Sequence, residues 1–435
     1  MASSVFYAFH DITLLALLAF SISINATTSF RVNYQATEYR RLYATLGVIA
    51  NLVILLFFKY SPLFARSFFE FDQPIVDYLI SIPLPLGISF YTFQGISLMI
   101  DVFKDPQRLE SPIVAPTFRE HLTRTYLYIA FFPQLIAGPI VKAQEFMPQI
   151  RTKLFSKIDW EFCFRNLVIG YFLKMVVADN LKEFTFWIEY PYFLSYKPLD
   201  LFFLLVGYSC QIFADFAGYS SIAIGLAGLF GYKLHINFNF PYAASSFKDF
   251  WKRWHISLSS FLMEYLYFPL GGSHKGRVRT YLNLFIVMAL GGLWHGAAWS
   301  YLVWGFMHGI FLSTERFFFQ TLRIDHGRYS SLAYSGFVFL VVTFAWLLFR
   351  LPFAHVLLYL QTMFSKTSLA FDSHLFLHIL AYSSPILIYH VYGTWGKGRR
   401  SQVYWRKFEY GLFALLLFLI FFNSGTAGTF IYFQF

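Results

Sequence analysis

Apolar runs separated by short polar breaks set the character of this chain. Residues 42–58, 78–100, 281–310 and 411–422 are the clearest runs. Counted against the need of a bilayer core for about 20 apolar residues per helix, about ten to twelve runs qualify. The pattern predicts an all-α, polytopic membrane protein. No long polar stretch divides the chain, so residues 1–435 read as a single membrane-embedded domain. The breaks are short, as at 101–124, 142–160, 179–200 and 233–255, and no internal repeat of the kind found in duplicated transporters is visible. Lys and Arg number three, two, four, four, two and four in the first six breaks. That series does not alternate, so it assigns no sidedness to the loops.

Two apolar runs carry breaks of their own. SIPLPLGISF (81–90) holds Pro83 and Pro85, and AFFPQLIAGPIV (130–141) holds Pro133, Gly138 and Pro139. Each proline removes a backbone donor. Irregular backbone at membrane depth survives only where protein buries it or a wet cavity touches it, so both segments predict an internal cavity.

Composition sharpens the picture. Hydrophobic residues make up 57% and charged residues 13%, against roughly 25% charged in soluble domains. Aromatic residues reach 22%, with 57 Phe as packing and lipid-facing bulk and 30 Tyr and 10 Trp suited to the headgroup region. The formal charge of +11 sits in short loops between apolar runs, which points to lipid headgroups as partners and not to nucleic acid. Cys163 and Cys210 lie in apolar surroundings with no metal-ligand spacing. The first positive side chain is Arg31, so no cleaved signal peptide is expected and the first apolar run should stay as a membrane helix.

Candidate chemistry lies where lipid would penalise it. Asp215 sits deep in an apolar run with Gln211 one turn before it, and His295 and His308 lie in ALGGLWHGAAWSYLVWGFMHG (289–309). An ionisable side chain at membrane depth is a functional hypothesis by default. Gly292 and Gly296 have the small-xxx-small spacing of close helix packing, which accounts for glycines but not for an imidazole between Trp294 and Trp299. His295 therefore reads either as a base or as a packed core residue. His255 follows Lys252 and Arg253 in FWKRWHISLSS, which suits either a headgroup anchor or a reactive group. Asp215 suits an ion pair inside the helix bundle, and Asp249 suits neutralising a neighbouring Lys or Arg. His308 follows His295 by 13 residues, about 220° around a continuous helix, so the two face each other only if the helix breaks. His374 and His378 are four apart but lack a third ligand, and no G-x-S-x-G, Walker A or H-E-x-x-H motif occurs.

QLIAGPIVK (134–142), FADFAGYSSIAIGLAGLFG (213–231), NFNFPYAASSFKDFWKRWHISLSSFL (237–262), YFPLGG (267–272), the GLWHG block and the C-terminal FIYFQF together resemble the membrane-bound O-acyltransferases, within them the alginate O-acetylases. The resemblance implies a ring of tilted and re-entrant helices around a central tunnel. It implies transfer of an acyl group, acetyl first, from a cytoplasmic thioester donor to a hydroxyl of an extracytoplasmic polysaccharide or partner protein. His295 falls on the family's invariant histidine and His255 on its second recurrent one, which makes them the expected catalytic pair. Arg253, Asp249, Asp215 and Trp294 are the expected substrate contacts. No metal and no tightly bound cofactor is expected; acetyl-CoA or an acyl carrier protein would serve as substrate. A bacterial cytoplasmic (inner) membrane location and a separate extracytoplasmic partner go with this reading. D-alanyl transfer to teichoic acid is the related alternative, and a polar-solute channel or transporter the unrelated one. Typical members place a further apolar segment ahead of the piece that residues 4–11 resemble, so the family's first helix is expected to be missing or to lie upstream.

Overall fold

The computed structural model describes all residues except 1, 10–11, 70–72, 106–111, 137, 322–327, 366–367, 396–400, 429 and 431–435. Of the C-terminal FIYFQF, only Phe430 is among the described residues; residues 10–11 of the N-terminal resemblance also lie outside them. Every regular element among the described residues is a helix, with no strand. Among the described residues, five helices are long and apolar enough to cross a membrane: Ile12–Tyr34, Thr37–Phe68, Pro198–Leu229, Leu332–Arg350 and Ser373–Gly393. The chain divides into two compact units, Met1–Cys163 with Leu226–His235, and Phe164–Gly225 with Ile236–Phe435.

The first unit is built on α1 (Ile12–Tyr34), α2 (Thr37–Leu55), α3 (Ile88–Lys104) and α4 (Phe118–Ala130). The buried face of α1 includes Ser21, Asn25, Ser29 and Asn33, one every fourth residue, which places a polar stripe against its neighbours. Asn25 and Asn51 of α2 exchange amide hydrogen bonds of 3.2 and 2.8 Å. Gly95 of α3 packs directly on this pair, where any β-carbon would collide with both amides. Ser29 Oγ lies 2.7 Å from His121 Nε2 on α4. Lipid offers no hydrophobic contrast between helices, so polar pairs and small residues hold them together.

The two proline-broken segments meet here. The chain leaves helix at Ser81, and Gly87 takes φ 71° before α3 begins. Gly87 packs on the carbonyl of Leu135, with no room for a β-carbon. Protein thus covers the irregular backbone at Pro85 and at this contact, while Ser81, Pro83 and Leu84 stay exposed. The cavity described below lies in the second unit.

The second unit opens with α5 (Trp160–Tyr171), a π-turn at Phe172–Ala178 and α6 (Asp179–Thr185). Then comes α7 (Pro198–Leu229), with proline at the first helical position, where its missing N–H has no partner to lose. α8 (Phe247–Arg253) and α9 (Ile256–Leu262) follow, with His255 at the bend between them. α10 (Arg277–His295) and α11 (Trp299–Arg316) form a tight antiparallel pair. Gly292 lies against the Tyr301 carbonyl and Gly305, and Gly305 against the Met288 carbonyl. The packing partner of Gly292 is therefore Gly305 on the next helix. Gly296 lies past the end of α10 in extended backbone, against the Tyr301 ring, so the four-residue spacing is not a helix face.

Candidate active site

The α8–α9 bend and the end of α10 bring two histidines together. His255 and His295 have ring centroids 6.1 Å apart. His255 is fully buried and His295 is 3% exposed. Trp294 packs on both, at 5.8 Å from His255 and 5.1 Å from His295. Phe216 of α7 meets His255 edge-on at 4.6 Å, while Trp304 and Phe349 close around His295 at 5.4 and 5.1 Å. The setting is an aromatic box, with an imidazole as last residue of one helix facing an imidazole at a bend between two others.

His295 also lines a cavity of about 590 Å³. Its walls are largely apolar, with Leu258, Val287 and Met288 among them, and Lys248, Lys252 and Arg316 also line it. From Leu284 to His295 is eleven residues along α10, about 16 Å. A mostly apolar space thus has an imidazole on its wall and three cations around it. Beside those cations, buried Glu315 accepts the N–H groups of Phe247 (2.5 Å) and Lys248 (3.1 Å), which caps α8.

The helix break at 296–298 changes the relation of His295 to His308. Trp304 stands between them, 5.4 Å from His295 and 4.6 Å from His308. His308 is fully buried against Trp251 and Trp304.

The other expected site residues pair elsewhere. Arg253 Nε lies 2.8 Å from Asp249 Oδ1, an i, i+4 ion pair on α8. Burial works to raise the Asp249 carboxyl, but Arg253 and the Ser245 N–H outweigh it and hold the pKa below its ordinary value. Asp215 pairs at 2.8 Å with Lys174 Nζ, which lies equally close to Asp179 and donates to the Gly428 carbonyl at 3.2 Å. Asp215 therefore has the ion-pair role that its depth suits. Lys174 escaped the sequence reading, although a lone lysine within 166–178 carries the same signal as Asp215. Glu315 and Trp304 were missed as well, and nothing in their sequence surroundings singles them out.

The sequence can now be set beside known proteins. The model of the membrane-bound O-acyltransferase family (MBOAT) matches residues 120–354, a stretch that contains both histidines. The chain is also 38% identical over 379 residues to the peptidoglycan O-acetyltransferase of Helicobacter pylori, covering 80% of this chain and 70% of that protein. This chain belongs to the membrane-bound O-acyltransferase family. Among other members, it is 36% identical over 361 residues to a probable alginate O-acetylase of Azotobacter vinelandii, covering 80% and 68% of the two chains. It is 29% identical over 244 residues to the teichoic acid D-alanyltransferase of Bacillus subtilis, covering 54% and 59%. As a family member it is a multi-pass membrane acyltransferase, and the channel alternative falls away.

Proposed function

We propose that this acyltransferase moves an acetyl group from a cytoplasmic thioester to a hydroxyl of an extracytoplasmic polysaccharide, in the bacterial inner membrane. The observation that carries this reading is His295 on the cavity wall, with His255 in ring contact behind it. The acetylated polymers named for the relatives from Helicobacter and Azotobacter support the substrate class. The donor's arm lies along the apolar walls, with its phosphate among Lys248, Lys252 and Arg316. Acetyl-CoA and an acyl carrier protein both bring such a phosphate.

In the transfer, His295 takes the hydroxyl proton as the oxygen attacks the thioester carbonyl. The C–O bond forms, the C–S bond breaks, and the proton returns to the departing thiolate. General-base help of this kind contributes about 10²–10⁴-fold. His255 orients or polarises the reacting groups. Arg253, Asp249 and Asp215 shape the site through their ion pairs, and Trp294 forms its wall. A separate extracytoplasmic protein presents the polymer.

The test is a deletion strain complemented with the wild-type chain, its surface polymer treated with mild alkali. Released acetate that tracks the presence of the gene is the expected outcome. Release of D-alanine in its place moves the chain to the teichoic-acid branch, and release of neither sinks the proposal. Purified protein that acetylates polymer unaided, at the cellular rate, removes the partner.

A further inference from the structure

His255 takes φ 44° and ψ 55°, the left-handed region that a side chain with a β-carbon seldom adopts. Such a conformation persists only where its surroundings over-determine it, and it clusters at functional sites. The hydrogen bonds on both sides of His255 lead to one short stretch, residues 237–239. The Asn239 N–H donates to the Arg253 carbonyl at 2.9 Å, and the Ile256 N–H donates to the Asn237 carbonyl at 3.0 Å. The Asn237 side chain does more. Its Oδ1 accepts from the Ser257 N–H at 3.2 Å and the Ser257 hydroxyl at 2.6 Å. Its Nδ2 donates to Ser220 Oγ on α7 at 3.1 Å.

Ser220 lies one turn beyond Phe216, the ring that meets His255 edge-on. α7 therefore reaches His255 twice, by a ring against the imidazole and by an amide tied to the backbone that follows it. Asn237 is 1% exposed, so its bonds are shielded from competing water. The Asn237 amide carries its acceptor and its donor on separate atoms, so one uncharged side chain holds Ser257 through Oδ1 and Ser220 through Nδ2 at once.

We infer that Asn237 is a positioning residue for His255: with Ser220 as its tether to α7, it fixes the left-handed bend that sets the His255 imidazole against His295. This rests on the reading of His255 as part of the reaction. Asn237 touches neither donor nor acceptor; it acts through the bend.

The experiment uses membrane vesicles holding the full chain and its native partner, with acetyl-CoA titrated as donor and alkali-labile acetate on polymer measured. Asn237→Ala is expected to lower kcat on the order of 10²-fold, the scale of an ångström's misplacement at a reacting group. The apparent KM for acetyl-CoA should stay within about twofold, because the cavity walls are untouched. Asn237→Asp, which keeps the acceptor and loses the donor, should fall between wild type and Asn237→Ala. In a His255→Ala background, with its residual rate followed over hours, Asn237→Ala should add nothing.

A further loss of the same size in that background overturns the inference, as does a near-wild-type kcat for Asn237→Ala alone. Full activity of His255→Ala sinks the reading of His255 itself, which is a different result. Should Asn237→Ala fail to accumulate, Ser220→Ala, lacking one hydroxyl, carries the comparison. An unchanged kcat there also overturns the proposal.

Discussion

His121 in the first unit and His295 in the second are both buried histidines, 0% and 3% exposed, in very different surroundings. His121 spends its polarity on Ser29 of a neighbouring helix, beside an Asn25–Asn51 pair whose amides satisfy each other. His295 is walled by Trp294, Trp304 and Phe349 and borders a cavity, with a second imidazole in contact. Polarity at membrane depth is thus two signals in one. A polar group bonded to a side chain of the next helix fastens the bundle; one that also borders a cavity is placed where a substrate can reach it. Depth alone does not sort them, and geometry does.

The comparison breaks most visibly at His295. His295→Ala should lower acyl transfer by about 10²–10⁴-fold, the range of a lost general base. The protein should stay in the membrane at its normal abundance, read by immunoblot beside polymer acetate. Near-normal acetylation would put His295 in the same class as His121. His255→Ala should follow, with a large loss that is smaller than that of His295→Ala when the two are assayed in the same vesicles.

A substitution on the cavity wall sharpens the distinction. Gly291 faces the cavity, and a β-carbon there would approach Leu262 Cδ1 at 3.1 Å. Gly291→Leu should raise the apparent KM for acetyl-CoA by about tenfold while kcat falls less, the pattern of lost donor binding. Equal KM values would place the donor elsewhere. The smallest effect belongs to the first unit. Asn25→Ala with Asn51→Ala should cost about 1–2 kcal/mol of stability, the scale of an interhelical polar pair. Activity per folded molecule should not change. A drop in that specific activity would mean that the polar stripe of α1 does more than fasten.

Much of this was legible beforehand. Runs of sufficient length announced membrane helices, and the prolines at 83, 85 and 133 marked two real breaks in them. Arg253 and Asp249, four apart, were a pair that helix geometry alone anticipates. The histidine pair was legible only through family resemblance, since no periodicity joins positions 255 and 295 across a bend and a helix. The partner of Asp215 was hidden for the same reason: Lys174 lies on another helix, and charge pairing leaves no mark in local sequence. The glycine spacing at 292 and 296 misled because a helix end falls between them and Tyr301 fills the gap. Asn237 was least visible. An asparagine in a polar loop looks ordinary until its amide is seen bracketing a strained residue.

Lys174 also bears on how the protein is made. It joins Asp179 and Asp215 to the carbonyl of Gly428, which lies 254 residues later in the chain. The Gly425 N–H docks on the Met175 carbonyl at 2.9 Å, so a segment translated late completes a turn translated early. At about 5–20 residues per second, roughly 10–50 s of synthesis separate the two. Lys174 does not wait alone, because Asp179 lies five residues further on and pairs with it at 2.8 Å. Asp179 balances its charge at once, and Asp215 joins when α7 packs against it. The carbonyl then finds a site already assembled. Biogenesis thereby becomes a two-step closure, in which an ionic knot is tied during insertion and the trailing backbone is drawn onto it at the end.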